Sequence, residues 1–200
     1  VQASPDAILI PNVSSPEPLQ RVGARLSALR APAGRSVWAM IETPLAILNA
    51  ESIARAAQDP ATRLACFVLG TNDLAKETRA RFVPGRAPML PWLVTAILAA
   101  RAYGIDVLDG VCNNLKDEAG YLAECEQGRD LGFDGKTLIH PGQVTVANSI
   151  FAPSEAEVAQ ATSILAAFAL PENTGKGAIQ LDGRMVELLH AEMARRTVAL

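Results

Sequence analysis

Three cysteines in 200 residues, with no C-x-x-C pair among them, are too few and too odd in number for a disulfide framework or a zinc site. Cys66, Cys112 and Cys125 are therefore expected to be small buried apolar residues in a reducing cytoplasm. An excess of positive charge is also missing. The formal net charge is −3 and the Lys and Arg are scattered, so no nucleic-acid partner is expected, while a small anionic ligand remains compatible. Every apolar run is interrupted by Pro, Arg or Asp before the roughly 18–20 residues that a membrane helix needs, which predicts a soluble chain with no membrane partner. No G-x-G-x-x-G or G-x-x-x-x-G-K-[ST] follows a candidate strand, so a nucleotide-binding sheet lacks its phosphate loop. The opening VQASPDAILIPN has neither the charged flank nor the long apolar centre of a signal peptide, and no initiator Met. The chain is expected to be part of a longer one.

Half of the residues are hydrophobic, enough for one domain with a real core. The run Asp6–Pro11 reads as a strand, and Ser15-Pro16-Glu17 then opens a helix to Arg30 with Ser15 as N-cap. Val37–Ile41 is the next strand, ending at Glu42-Thr43-Pro44, and a helix spans Leu45–Ala57. Strand Cys66–Leu69 stops at Gly70 and delivers Asp73 into a loop. Lys76–Pro91, polar and Arg-rich, reads as a long loop that is a candidate for the active site. A helix over Trp92–Ala102, a strand over Ile105–Asp109, a helix over Asp117–Leu131 and a strand over Gly135–Ile139 follow. Ser154 and Glu157 are spaced as a capping box for a helix to Leu170, and the Gly-rich segment from Gly175 is a lid or a frayed end. Strand starts recur at about 30 residues, the length of a βα unit. The class is α/β, either a (β/α)8 TIM barrel or an open doubly wound sheet, and five units cannot close the barrel.

In both architectures functional groups gather at the carboxyl ends of strands, which here carry Asn12, Glu42, Asp73, Asp109 and His140. Glu42 and Asp73 directly follow apolar strands on adjacent units. Two carboxylates with several waters are the usual way to hold Mg2+; the same residues can also cap helices or accept loop hydrogen bonds. His140 reads as a hydrogen-bonded anchor, since no Ser or Cys nucleophile motif accompanies it. Asp109, followed by Gly110, can equally shape a turn. Lys136 lies inside a strand and is a Schiff-base candidate, which a metal-dependent enolate mechanism does not need.

The stretches MIETPLAILNA (Met40–Ala50), LGTNDLAK (Leu69–Lys76), GIDVLDGV (Gly104–Val111) and GFDGKTLIHPGQV (Gly132–Val144) resemble successive strand-end motifs of the citrate lyase β-subunit and malyl-CoA lyase family (HpcH/HpaI aldolase/citrate lyase). Phe151-Ala152-Pro153-Ser154 and GKGAIQLDGRMV (Gly175–Val186) are similar to its C-terminal region. The resemblance implies a (β/α)8 barrel, commonly a homotrimer, in the cytoplasm. It implies a Mg2+-dependent carbon–carbon lyase acting on an acyl-CoA or other acyl thioester such as malyl-CoA, citramalyl-CoA or a citryl thioester, with a 2-oxo acid as the other product. Glu42 and Asp73 then match the metal carboxylates, and Asp182 matches an aspartate that reaches into a neighbouring subunit's site. His140 matches a structural histidine. Family members carry three further βα units before the one beginning at Asp6, the third supplying an arginine for the substrate carboxylate. Residues 1–170 are then the barrel portion, five βα units and the following helix, and 171–200 a C-terminal lid. An open five-unit sheet is expected to expose Ile8 and Ile10. A class II 2-oxo-acid aldolase working without CoA, or a non-catalytic subunit of a lyase complex, are the alternatives.

Overall fold

Five short apolar runs form parallel strands: β1 (Ala7–Ile10), β2 (Ser36–Ile41), β3 (Leu64–Leu69), β4 (Asp106–Asp109) and β5 (Gly135–Lys136). They pair in chain order, β1-β2-β3-β4-β5, with Ile10 beside Ala39, Ile41 beside Leu69 and Asp109 beside Lys136. Each crossover therefore moves one place in the same direction. The reversal of strand order that defines a doubly wound sheet is absent among the described residues. The structure, a computed structural model, describes residues 4–199, and contacts divide the chain into two units, Val1–Phe151 and Ala152–Leu200.

In the first unit the crossovers carry α1 (Glu17–Ala28), α2 (Pro44–Leu48), α3 (Ala50–Arg55), α4 (Thr71–Thr78), α5 (Leu90–Ala102), α6 (Glu118–Leu131) and α7 (Val144–Phe151). Alternate residues of β2, Val37, Ala39 and Ile41, are fully buried, as a pleated strand with one face under helices requires. They join Leu19, Ile53, Phe67, Leu69, Leu74, Leu93 and Val107 in one core. Each of the Val, Leu, Ile and Phe side chains among them contributes about 1.5–3 kcal/mol when taken fully out of water.

Several expectations are corrected by local physics. Ser15 does not cap α1; Pro16 holds the N-cap position, with no side-chain cap bond. The helix expected over Leu45–Ala57 is two short ones, because Asn49, at φ −101° and ψ 9°, leaves the helical region between them. Gly70 is followed at once by α4, so Asp73 stands on the first helical turn and not in a loop. Lys76–Pro91 is correspondingly shorter as a loop, and within it Pro84–Arg86 makes a 3-10 turn. The fifth strand pairs only over Gly135–Lys136, although the Thr137 N–H still donates to the Asp109 carbonyl at 3.0 Å. Ile8 and Ile10 are half-buried against the core; Leu9, on the opposite face of β1, is the exposed residue at 39%.

The second unit holds α8 (Glu155–Ala169), β6 (Ala178–Leu181), β7 (Arg184–Glu187) and α9 (Leu188–Ala199). Ser154 and Glu157 form the full capping box of α8. The antiparallel hairpin turns on Asp182-Gly183, both at positive φ (50° and 77°), the pattern of a two-residue type I′ turn. Ile179 and Val186 pack with Ala167 into a small core of their own. No helix among the described residues is long and apolar enough to cross a membrane.

Candidate functional site

Strand direction brings Glu42 and Asp73 to the same end of neighbouring strands. Glu42 is the first residue past β2 and is 6% exposed. Its Oε1 accepts the backbone N–H of Asn12, two residues beyond the end of β1, at 2.7 Å. The chain after β1 is pinned in turn: Ser14 Oγ and Thr43 Oγ1 share a hydrogen bond at 2.7 Å, and Asn49 Nδ2 donates to the Ser14 carbonyl at 2.9 Å. Thr43 also accepts from the Ala46 N–H, so Thr43, not Glu42, caps α2.

Asp73 is exposed on the first turn of α4, where the helix dipole favours a carboxylate. It accepts no backbone cap bond, and neither Asp73 nor Glu42 Oε2 takes a hydrogen bond or ion pair from the described residues. On the other flank the side-chain amides of Asn72 and Asn113 exchange hydrogen bonds at 3.1 and 2.6 Å, joining the start of α4 to the loop after β4. Free carboxylate oxygens and nearby amides are hard oxygen donors. They fit a Mg2+ ion that takes few protein ligands and fills its shell with water and substrate. The described residues contain no group of three or more His, Cys, Asp or Glu suited to a metal.

Asp109 stands at the matching end of β4 but is already spent. Arg86 Nη1 donates to both of its oxygens at 2.8 Å, Lys136 Nζ reaches Oδ2 at 2.9 Å, and the Gly110 N–H reaches Oδ1 at 2.8 Å. Lys136 also pairs with Glu124 at 2.6 Å, and Arg86 Nε donates to Gln127 at 2.7 Å. Two cations and two carboxylates balance in a buried cluster, which is the condition under which charges survive desolvation. Lys136, bonded to two carboxylates, is not free to form a Schiff base. Sequence reading missed this cluster. Its signals were an aspartate and a lysine on apolar strands and one arginine in a Pro-rich loop. Glu124 carries none, since an acidic residue on an amphipathic helix is ordinary.

His140 is exposed, and its Nδ1 accepts the Gly142 N–H at 3.0 Å, capping the 3-10 turn Pro141–Gln143. An accepting Nδ1 puts the ring proton on Nε2. Burial pushes the Cys66 thiol up to about 12, with Asp106 and Asp134 adding to the effect, and raises the Cys112 and Cys125 thiols as well. All three are buried free thiols and poor nucleophiles. Beside the strand ends a cavity of about 430 Å3 is lined by Thr71, Phe82, Arg86, Met89, Asn113 and Glu124 among others, a size usual for small-molecule sites. Asp182 lies in the second unit, at the tip of the β6–β7 hairpin.

A family model for HpcH/HpaI aldolase/citrate lyase matches residues 1–141. The chain belongs to the HpcH/HpaI aldolase/citrate lyase family. Within it, (3S)-malyl-CoA thioesterase of Cereibacter sphaeroides is 48% identical over 198 residues, 99% of this chain and 66% of the relative. Citrate lyase subunit beta of Haemophilus influenzae is 32% identical over 192 residues, 94% of this chain and 65% of the relative. The chain thus spans about two thirds of the length of these relatives. Among solved structures, protein CitE of Mycobacterium tuberculosis, in complex with magnesium, acetoacetate and coenzyme A, aligns with a TM-score of 0.70 at 28% identity, over 98% of this chain and 69% of that one. A citrate lyase of Burkholderia xenovorans LB400 aligns at 0.78 with 17% identity, over 98% and 63%, which speaks for the fold alone.

Proposed function

We propose that this chain is the larger part of a Mg2+-dependent carbon–carbon lyase that cleaves, or in reverse forms, a 3-hydroxyacyl thioester of the malyl-CoA type, giving an acyl thioester and a 2-oxo acid. The observation that carries the reading is the pair Glu42 and Asp73, just past the ends of adjacent parallel strands, with Glu42 Oε2 and the Asp73 carboxylate taking no hydrogen bond or ion pair from the described residues. These two residues would hold the metal. Bound there, Mg2+ supplies Lewis-acid stabilisation of negative charge on the 2-oxo-acid oxygens. The five strands in sequential order would be five of the eight of a (β/α)8 barrel, the remainder lying in a longer chain.

Asp182 of an adjacent subunit of a trimer is the proposed base. Its carboxylate takes the proton from the substrate hydroxyl as the neighbouring carbon–carbon bond breaks. The bonding pair passes to the carbon α to the thioester carbonyl, giving an enolate with its charge on the thioester oxygen, and the same proton returns to that α-carbon, so the step balances without an added reductant or oxidant. The cavity beside Thr71 and Met89 has the room and the apolar wall for part of the thioester arm.

A second reading has a specific observation in its favour: the 48% identical relatives are malyl-CoA thioesterases, so hydrolysis of the thioester is the competing reaction. One assay separates them. With malyl-CoA and Mg2+, a lyase releases glyoxylate and keeps the thiol acylated, whereas a thioesterase releases free CoA and malate. Loss of glyoxylate release in both Glu42→Ala and Asp73→Ala supports the lyase site; unchanged turnover in either removes that residue from it.

A further inference from the structure

We propose that Gly70 and the backbone of Asn12 are positioning elements for the Glu42 carboxylate, which they hold between them so that Oε2 is left for a ligand; the inference rests on the Mg2+ reading above. The Gly70 N–H donates to the Ile41 carbonyl at 3.0 Å, extending the β2–β3 ladder one residue beyond Leu69. That bond presses the Gly70 backbone against Glu42. A Cβ at position 70 would lie 2.3 Å from Glu42 Cβ and 2.8 Å from its Oε2. No rotamer of Glu42 relieves a contact with its own Cβ, so any side chain at 70 must displace the residue. Gly70 has φ −94°, on the negative side where no glycine is required by backbone sterics alone. Glycine is there for space.

Asn12 supplies the opposite wall. It sits at φ 53°, the left-handed region that asparagine tolerates better than most residues, and this conformation aims its N–H at Oε1. A backbone N–H bonded to a carboxylate is a charge-assisted hydrogen bond, short and strong. The Ser14–Thr43 and Asn49–Ser14 bonds hold that loop against the turn that carries Glu42. Thus one oxygen is tied and the other is walled but unbonded, the arrangement expected of an oriented metal ligand.

The test uses Mn2+ as a spectroscopic substitute, titrated into the whole chain and followed by electron paramagnetic resonance. Gly70→Ala is expected to weaken Mn2+ binding by about 10- to 100-fold, the usual cost of removing an outer-shell support. Asn12→Gly should retain more affinity than Asn12→Val, since only glycine takes a positive φ freely. A stability cycle independent of metal accompanies it. Gly70→Ala should lower the melting temperature strongly in the Glu42 background and far less in Glu42→Gly, where the Cβ contact is gone. If Gly70→Ala fails to fold, restoration of the fold by Glu42→Gly supports the proposal and failure to restore it overturns it. Wild-type affinity in Gly70→Ala, or equal destabilisation in both backgrounds, also overturns it. Absence of Mn2+ binding in the unmodified chain overturns the Mg2+ reading itself, and the stability cycle then decides the steric claim separately.

Discussion

Glu42 and Asp73 differ from Asp109 in what their oxygens are already doing. Asp109 is fully buried and receives Arg86, Lys136 and a backbone N–H, so its removal leaves two buried cations to share the single carboxylate of Glu124. Asp109→Ala should cost about 3–5 kcal/mol, read as a lower urea midpoint. Asp73→Asn should change stability by no more than about 0.5 kcal/mol in the same experiment, because an exposed carboxylate without partners holds nothing together. A large loss in Asp73→Asn would give the residue a structural role. Cys66 sets a pH dependence. Burial raises its thiol from 9.0 to about 12, so the unfolded chain ionises first as pH climbs. The associated stability is fully present below pH 9.0 and declines as pH rises toward about 12, which an alkaline series of thermal melts checks and Cys66→Ala should flatten. The placement of Glu42 and Asp73 near strand ends was legible in the sequence, because the apolar runs of β2 and β3 mark where those strands stop; that Asp73 sits on the first turn of α4 was not. Arg86 and Glu124 were not, since their partners Asp109 and Lys136 are brought to them by tertiary approach, 23 and 12 residues away along the chain.

Asp182 and Gly183 form a turn that needs positive φ at both positions, and this creates a confounded mutation and a clean one. Asp182→Ala would damage the hairpin and any catalysis together. Asp182→Asn keeps a residue that is favoured in a type I′ turn while removing the carboxylate. It should leave the melting temperature near wild type and abolish turnover in the lyase assay; full activity would dismiss Asp182 as the base. In α8, Ser154→Ala removes the reciprocal cap and should cost about 1 kcal/mol, measurable in the melt of the chain. The spacing of βα units, the Ser154 cap and the run of α6 could all be read from the sequence, because each is fixed by neighbours within a few residues. The break at Asn49, the helix α7 and the shortness of β5 could not. They answer to packing and to the Asp109 cluster, neither of which has a local signature.

Across the whole chain the five parallel strands run in unbroken order, which repeat length alone could not choose over a doubly wound sheet. Periodicity reports how often a strand recurs but not which neighbour it pairs with. The proposed lyase completes its barrel in a longer chain and borrows Asp182 from a neighbour. Light scattering of that longer protein should give three times the subunit mass. Mixing inactive Asp182→Asn with inactive Glu42→Gln subunits should restore part of the activity in hybrid trimers, and no recovery would place Asp182 elsewhere. The most direct measurement of the central claim is a calorimetric titration of Mg2+ into the chain and into Glu42→Gln and Asp73→Asn. The account predicts one Mg2+ per chain in the parent and loss of that binding in both variants; equal binding in either variant, or none in the parent, would contradict it.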